Sequence, residues 1–338
     1  MLPWIEPQVS GVLTVGDDND IYWEASGDPA GRAVIYLHGG PGSGLGRGWY
    51  RSWADPQRFR MIGLDQRGCG RSRPLVTDDD ADLVSNTTAA LIGDIEALRE
   101  HLHIEQWLVV GLSWGTTLGL MYAQAHPERV TGLVLGAVGI TSRTSVDWVT
   151  EQMRRVFPRE WEEYASAVPR ADGERVVDAY ARALRQPNAA ARAAAALAWC
   201  RWEDTHMSFD PDWKPFLVVQ EPEFRAVFAT LVTHYWSNSG FGGDEIMDQM
   251  NRIKHLPGVL IHGRLDISSP LETPWLLHRA WPGSRLVVLD EGHGGEHDRA
   301  GDDGDRGPRL RRRLTAPCCQ ATREPPTYAL SPASRTSR

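Results

Sequence analysis

The chain has 338 residues, 41% hydrophobic and 24% charged, with a formal net charge of −8. That balance excludes a mainly disordered or fibrous protein, and the acidic excess argues against a nucleic-acid-binding surface or a polybasic membrane anchor. The length allows one large domain or two smaller ones.

No apolar run approaches the roughly 18 residues of a membrane span, and the opening MLPWIEPQVSG lacks the charged and apolar regions of a secretory leader. Cys69, Cys200, Cys318 and Cys319 follow neither a disulfide framework nor a metal-ligand spacing, so a reducing, cytoplasmic setting is expected. Lys214 and Lys254 are the only lysines against a large arginine excess, which reads as codon bias of a GC-rich genome.

In chain order, short β-rich runs at 33–37 (AVIYL) and 59–64 (FRMIGL) end in glycine-rich punctuation. Ala89, Leu91, Ile92, Ile95, Leu98 and Leu102 recur at helical spacing and predict a helix over 88–103, with Glu96 and Arg99 on its exposed face. A strand is expected at 107–111 (WLVVG), a helix opening near Trp114, and a strand at 131–136 (TGLVLG). Two late strands follow at 258–262 (GVLIH) and 285–289 (RLVVL). Continuous apolar strands alternating with helices predict the α/β class, with a mostly parallel sheet covered on both faces.

Residues 140–250 read differently. Alanine-rich helical stretches such as 189–199 and tryptophans at 148, 161, 199, 202, 213 and 236 occur without strand-turn-helix punctuation. An all-helical insertion here would lie over the strand ends, where open α/β sheets bind ligands. The expected organisation is a core over 1–139 and 251–298, a helical cap over 140–250, and a tail over 299–338. The tail holds nine arginines and five prolines and lacks Ile, Val, Phe, Trp and Met. It is expected to be disordered, or to be the frameshifted product of a GC-rich gene.

Gly111-Leu112-Ser113-Trp114-Gly115 is a G-x-S-x-G between an expected strand and an expected helix. That context presents a serine on a sharp strand-to-helix turn, with the helix N-terminus favouring a developing negative charge. A serine hydroxyl needs a base, and the base an orienting carboxylate. Asp266 in HGRLDISSP and His293 in LDEGHGG each follow a late strand and supply the order Ser…Asp…His; His262 and His297 are competitors for the base. His38-Gly39-Gly40-Pro41-Gly42 follows the strand at 33–37, and its glycines let backbone N–H groups approach a ligand. The backbone amides of Gly40 and Trp114 are therefore the expected oxyanion hole.

HGGPG, DQRGCGRS at 65–72, GLSWGTTL at 111–118, a late aspartate and GHGG together resemble the prolyl aminopeptidase (proline iminopeptidase) family of α/β-hydrolases, over roughly residues 1–295. The resemblance implies release of an N-terminal proline from peptides through an acyl-enzyme, with no metal or organic cofactor, and the expected activity is a serine aminopeptidase acting on proline or small N-terminal residues of a small peptide or aminoacyl substrate. It implies a structural role for Asp65–Ser72, and it assigns Glu203 of Trp202-Glu203-Asp204 to the substrate's amine. A second amine-binding glutamate expected before the His-Tyr-aromatic block is Val232 here, so weaker selectivity for proline is expected unless Asp204 or Glu221 compensates. Two other expectations stay open: an esterase or lactonase without aminopeptidase activity, and an inactive binding protein.

Overall fold

The computed structural model describes residues 5–79, 81–207, 209 and 214–293. The tail at 299–338, Trp213 and His297 lie outside the described residues.

The strands are β1 (Val9–Val15), β2 (Asn19–Gly27), β3 (Arg32–Leu37), β4 (Phe59–Leu64), β5 (Trp107–Leu112), β6 (Val130–Gly136), β7 (Gly258–Gly263) and β8 (Ser284–Leu289). They form one sheet in the order β1-β2-β4-β3-β5-β6-β7-β8. From β4 to β8 every pair is parallel, while β1–β2 and β2–β4 are antiparallel. All six expected strands are present within a residue at either end. The β1–β2 hairpin was not among them. Its outer strand is half-exposed, with Val9 and Val12 facing solvent, so no buried alternation marks it. The local signal was the turn: Asp17 and Asp18 both take positive φ, a conformation aspartate tolerates better than most residues.

The helices are α1 (Thr88–His101), α2 (Trp114–Ala125), α3 (Arg143–Thr150), α4 (Pro158–Ser166), α5 (Val176–Ala183), α6 (Ala189–His206), α7 (Pro222–Ser237) and α8 (Glu272–Ala280). Helix α1 starts where Thr87 accepts the Ala90 N–H, and it buries Leu91, Ile95 and Leu98. Arg99, expected on its exposed face, is buried instead. Its guanidinium donates to Glu96 and to the carbonyl of Ile104, so the charge is paired where it is desolvated.

Strand pleating splits the core in two. Ile35 and Leu37 pack with Leu91, Ile95 and Leu118 on one side of the sheet. Val34 and Tyr36 pack with Leu45, Tyr50 and Trp53 on the other. Helices α3–α7 fall between β6 and β7 and have a third core of their own, in which Tyr164 stacks on Tyr180 and Trp202 with ring centroids 4.9 Å from each. Trp199 and Trp202 are fully buried there.

The chain leaves β3 for β4 on one side and returns to β5 on the other. The loops after β3 and β5 therefore separate at a switch point and open a crevice beyond the strand ends.

Candidate active site

The G-x-S-x-G sits in that crevice. Ser113 takes φ 53° and ψ −121° between β5 and α2, a strained conformation for a non-glycine residue, worth about 1–3 kcal/mol. Its glycines are sterically required. A Cβ on Gly115 would collide with the Leu37 carbonyl, and one on Gly111 with the Gly115 carbonyl. The elbow is thus pressed against the end of β3, and a Cβ on Gly39 would stand 3.2 Å from the Ser113 Cβ.

Ser113 Oγ lies 2.9 Å from His293 Nε2, and His293 Nδ1 lies 2.8 Å from Asp266 Oδ2. With Nδ1–H donating to the carboxylate, Nε2 carries a lone pair toward the serine hydroxyl. Asp266 Oδ1 accepts the Ser269 N–H, and the whole carboxylate is buried. Burial alone would raise the Asp266 pKa, but the charge and hydrogen bond of His293, then His262 and the Ser269 N–H, hold it below the usual range. For His293 burial favours the neutral form. The Asp266 charge and hydrogen bond, with a smaller contribution from Glu203, outweigh burial and raise its pKa above the ordinary histidine value.

His262 is not placed to act as the base. Its Nδ1 accepts the Val138 N–H at 3.0 Å and its Nε2 donates to the Ser269 carbonyl at 2.7 Å, so both ring nitrogens are committed.

Gly40 and Trp114 both line the cavity in front of Ser113. Gln66 ties together the segments that carry them. It donates Nε2–H to the His38 carbonyl, gives its N–H to His38 Nε2, and accepts the Trp114 indole N–H. This gives the DQRGCGRS segment a physical task beside the site. Asp65 adds to it by accepting the N–H groups of Leu45 and Arg71.

The cavity measures about 450 Å³ and is walled by both the sheet loops and the inserted helices. Phe216, Phe224, Phe228 and Trp236 make much of it apolar, and Glu203 is its one carboxylate among the described residues. Glu203 is buried, and its Oε1 accepts the Trp199 indole N–H at 3.0 Å. His206 Nε2 stands 3.2 Å from Oε2. The sequence marked Trp199 only as one of the insertion's tryptophans and did not single out His206, although their spacing of four and three residues from Glu203 puts all three on one helix face.

Neither suggested substitute for a second carboxylate reaches the cavity. Asp204 accepts the backbone N–H groups of Phe216, Leu217 and Val218, closing the loop after α6. Glu221 is exposed at the start of α7, and Val232 is buried in the core of the insertion.

Comparison with known proteins agrees with this geometry. The profile of the α/β hydrolase fold matches residues 32–298. The chain is 44% identical to the "Probable proline iminopeptidase" of Streptomyces coelicolor, covering 90% of this chain and 94% of that protein. It is 40% identical to the proline iminopeptidase of Arabidopsis thaliana, covering 86% of this chain and 76% of that one. Among solved structures, a proline iminopeptidase from Mycobacterium smegmatis superposes with a TM-score of 0.56 at 22% identity, over 84% of this chain and 91% of that chain. An esterase from Exiguobacterium antarcticum gives 0.55 at 20% identity, over 84% and 92%; at these identities the likeness speaks for the fold alone. On its sequence relatives, the chain belongs to the proline iminopeptidases, a family of the α/β-hydrolase fold.

Proposed function

We propose that this chain is a serine aminopeptidase that releases proline from the N-terminus of small peptides through an acyl-enzyme. Residues 1–139 and 251–298 form its catalytic core and 140–250 its cap. Ser113 Oγ attacks the carbonyl of the first residue while His293 Nε2 takes its proton, and Asp266 holds the imidazole and stabilises the cation that forms. The N–H groups of Gly40 and Trp114 receive the oxyanion. His293 then returns the proton to the departing amine. Water, activated by the same imidazole, cleaves the acyl-serine and frees the amino acid.

The observation that carries this proposal is a hydrogen-bonded Ser113–His293–Asp266 chain opening onto a cavity whose one described carboxylate is Glu203. An enzyme that removes one residue must recognise a free amine at a set distance from its nucleophile. Glu203 offers that amine a charged partner inside a largely apolar wall, where pairing is worth more than on a surface. Work in the cytoplasm goes with the proposal, since Cys69 and Cys200 are buried free thiols.

The test is hydrolysis of prolyl 4-nitroanilide against its N-acetylated form. The free amine should be turned over at least roughly a hundredfold better in kcat/KM, as expected when a buried charge loses its partner. Equal rates would remove amine recognition. Aryl esters outrunning every aminoacyl amide would select an esterase instead, the alternative favoured by Val232 and the aromatic walls.

A further inference from the structure

The segment Asp266–Ser269 joins more parts of the molecule than a loop of four residues ordinarily does. Asp266 binds His293. The Ile267 carbonyl accepts the Trp148 indole N–H of α3 at 2.7 Å, and the Ile267 side chain packs on the core of the insertion. Ser268 Oγ lies 2.7 Å from His206 Nδ1 of α6, with a longer contact of 3.4 Å to the His206 carbonyl. Ser269 is fastened to the sheet side, its Oγ donating to the Val138 carbonyl at 2.6 Å and its own carbonyl accepting from His262.

His206 is almost completely buried, and its other nitrogen is the one that stands against Glu203. The two atoms are close, but the geometry falls short of an aligned hydrogen bond. A continuous line of polar contacts therefore runs Glu203–His206–Ser268, and two residues along the backbone it reaches Asp266.

We propose that His206 and Ser268 are positioning residues for amine recognition: they form a strut that sets the distance between the Glu203 carboxylate and the Ser113–His293–Asp266 chain. The inference rests on the reading of Glu203 as the amine's partner. Its physical basis is that α6, which carries Glu203, belongs to the insertion, whereas the triad belongs to the sheet. Trp148 of α3 and His234 and Tyr235 of α7 also bridge the two parts, on Ile267 and Asn86, but the His206–Ser268 contact is the one that joins α6 itself to the segment carrying Asp266. Trp199 fixes Oε1 from within α6 itself and so cannot set that spacing. Ser268 can, because it shares a backbone segment with Asp266. With Val232 in place of a second acidic residue, amine recognition depends on where one carboxylate points.

The experiment compares His206→Phe, Ser268→Ala, His206→Gln and Glu203→Gln in the full chain, using prolyl 4-nitroanilide and 4-nitrophenyl butyrate. Misplacing a binding group by about an ångström is expected to cost roughly ten- to a hundredfold. His206→Phe and Ser268→Ala should accordingly raise KM for the prolyl substrate at least about tenfold, with kcat for it changed less than about threefold. The butyrate ester, which has no amine, should lose no more than about threefold in kcat/KM. His206→Gln, which keeps an N–H donor, should recover part of the lost affinity.

Ester and prolyl turnover falling together in both His206→Phe and Ser268→Ala would mean a merely structural role and overturn the strut. If Glu203→Gln raises KM while His206→Phe and Ser268→Ala do not, the strut fails and the amine-binding role of Glu203 stands. If Glu203→Gln leaves KM unchanged, that role fails and the strut falls with it.

Discussion

Asp266 has two acceptor oxygens and uses both, one on a backbone N–H that fixes the carboxylate and one on His293. The second bond does two things. It selects the tautomer that leaves Nε2 free for Ser113, and it holds the imidazole pKa up against burial. The sign of the pH effect follows. With His293 as the proposed general base, which works only when neutral, kcat/KM should fall as pH drops through a value above the ordinary histidine pKa of about 6.5. On the proposed function, Asp266→Asn should lower kcat by about 10³–10⁴-fold, as the same loss does in serine triads. It should also move the acidic limb to lower pH, since the charge that raised it is gone. A pH profile whose limb stays put in the variant would assign that limb to another group. The choice between His262 and His293 belongs to this scale as well: their surrounding sequence is alike, HGR against HGG, but His262 precedes Asp266 in the chain while His293 follows it, and their hydrogen-bond partners differ.

Among the elements, α6 is both scaffold and, in the proposed function, part of the site. Its alanine-rich first half has high intrinsic helix propensity. Its second half places Trp199, Glu203 and His206 along one face, and Asn188 caps its start by accepting the Ala191 N–H. The cap and the carboxylate are about four turns apart. Asn188→Ala should therefore cost about 1 kcal/mol of stability, seen in a denaturant midpoint, and leave KM for prolyl 4-nitroanilide unchanged. A raised KM would show that fraying at the start of α6 reaches Glu203. The strands were legible because β3 to β7 are nearly continuous apolar runs between glycine-rich turns. Strand β1 was not, because a half-exposed edge strand carries little pattern beyond its turn, and β2, although largely buried, mixes the polar Glu24 and Ser26 with its apolar residues.

The whole molecule buries several ionisable groups, and their combined titration should shape its stability. Burial, the largest influence on each, holds His38, His234 and His262 below the ordinary histidine value. As pH falls below about 6.5 the unfolded chain takes up protons that these folded side chains resist, so stability declines. His293 has the opposite sign, because its folded pKa is raised. It contributes its full share below the unfolded value and loses that share as pH rises through the folded one. With three groups against one, the urea midpoint should be lower at pH 5.5 than at pH 7.5, and a midpoint that rose on acidification would contradict this balance.

What the amino-acid sequence determined by itself was local: the α/β pattern, the elbow that only glycines permit around Ser113, and the places of Asp266 and His293 just after apolar strands. These depend on neighbours within a few residues, or on periodicities of two and 3.6, which a linear reading can count. What only the tertiary structure decided was long-range. It paired an edge hairpin, buried Arg99 beside a partner, committed Asp204 to a backbone loop, and brought His206 against Ser268 across 62 positions of chain. Such contacts depend on how the inserted helices dock over the sheet, and docking is a sum over many weak apolar contacts that leaves no single motif in the sequence.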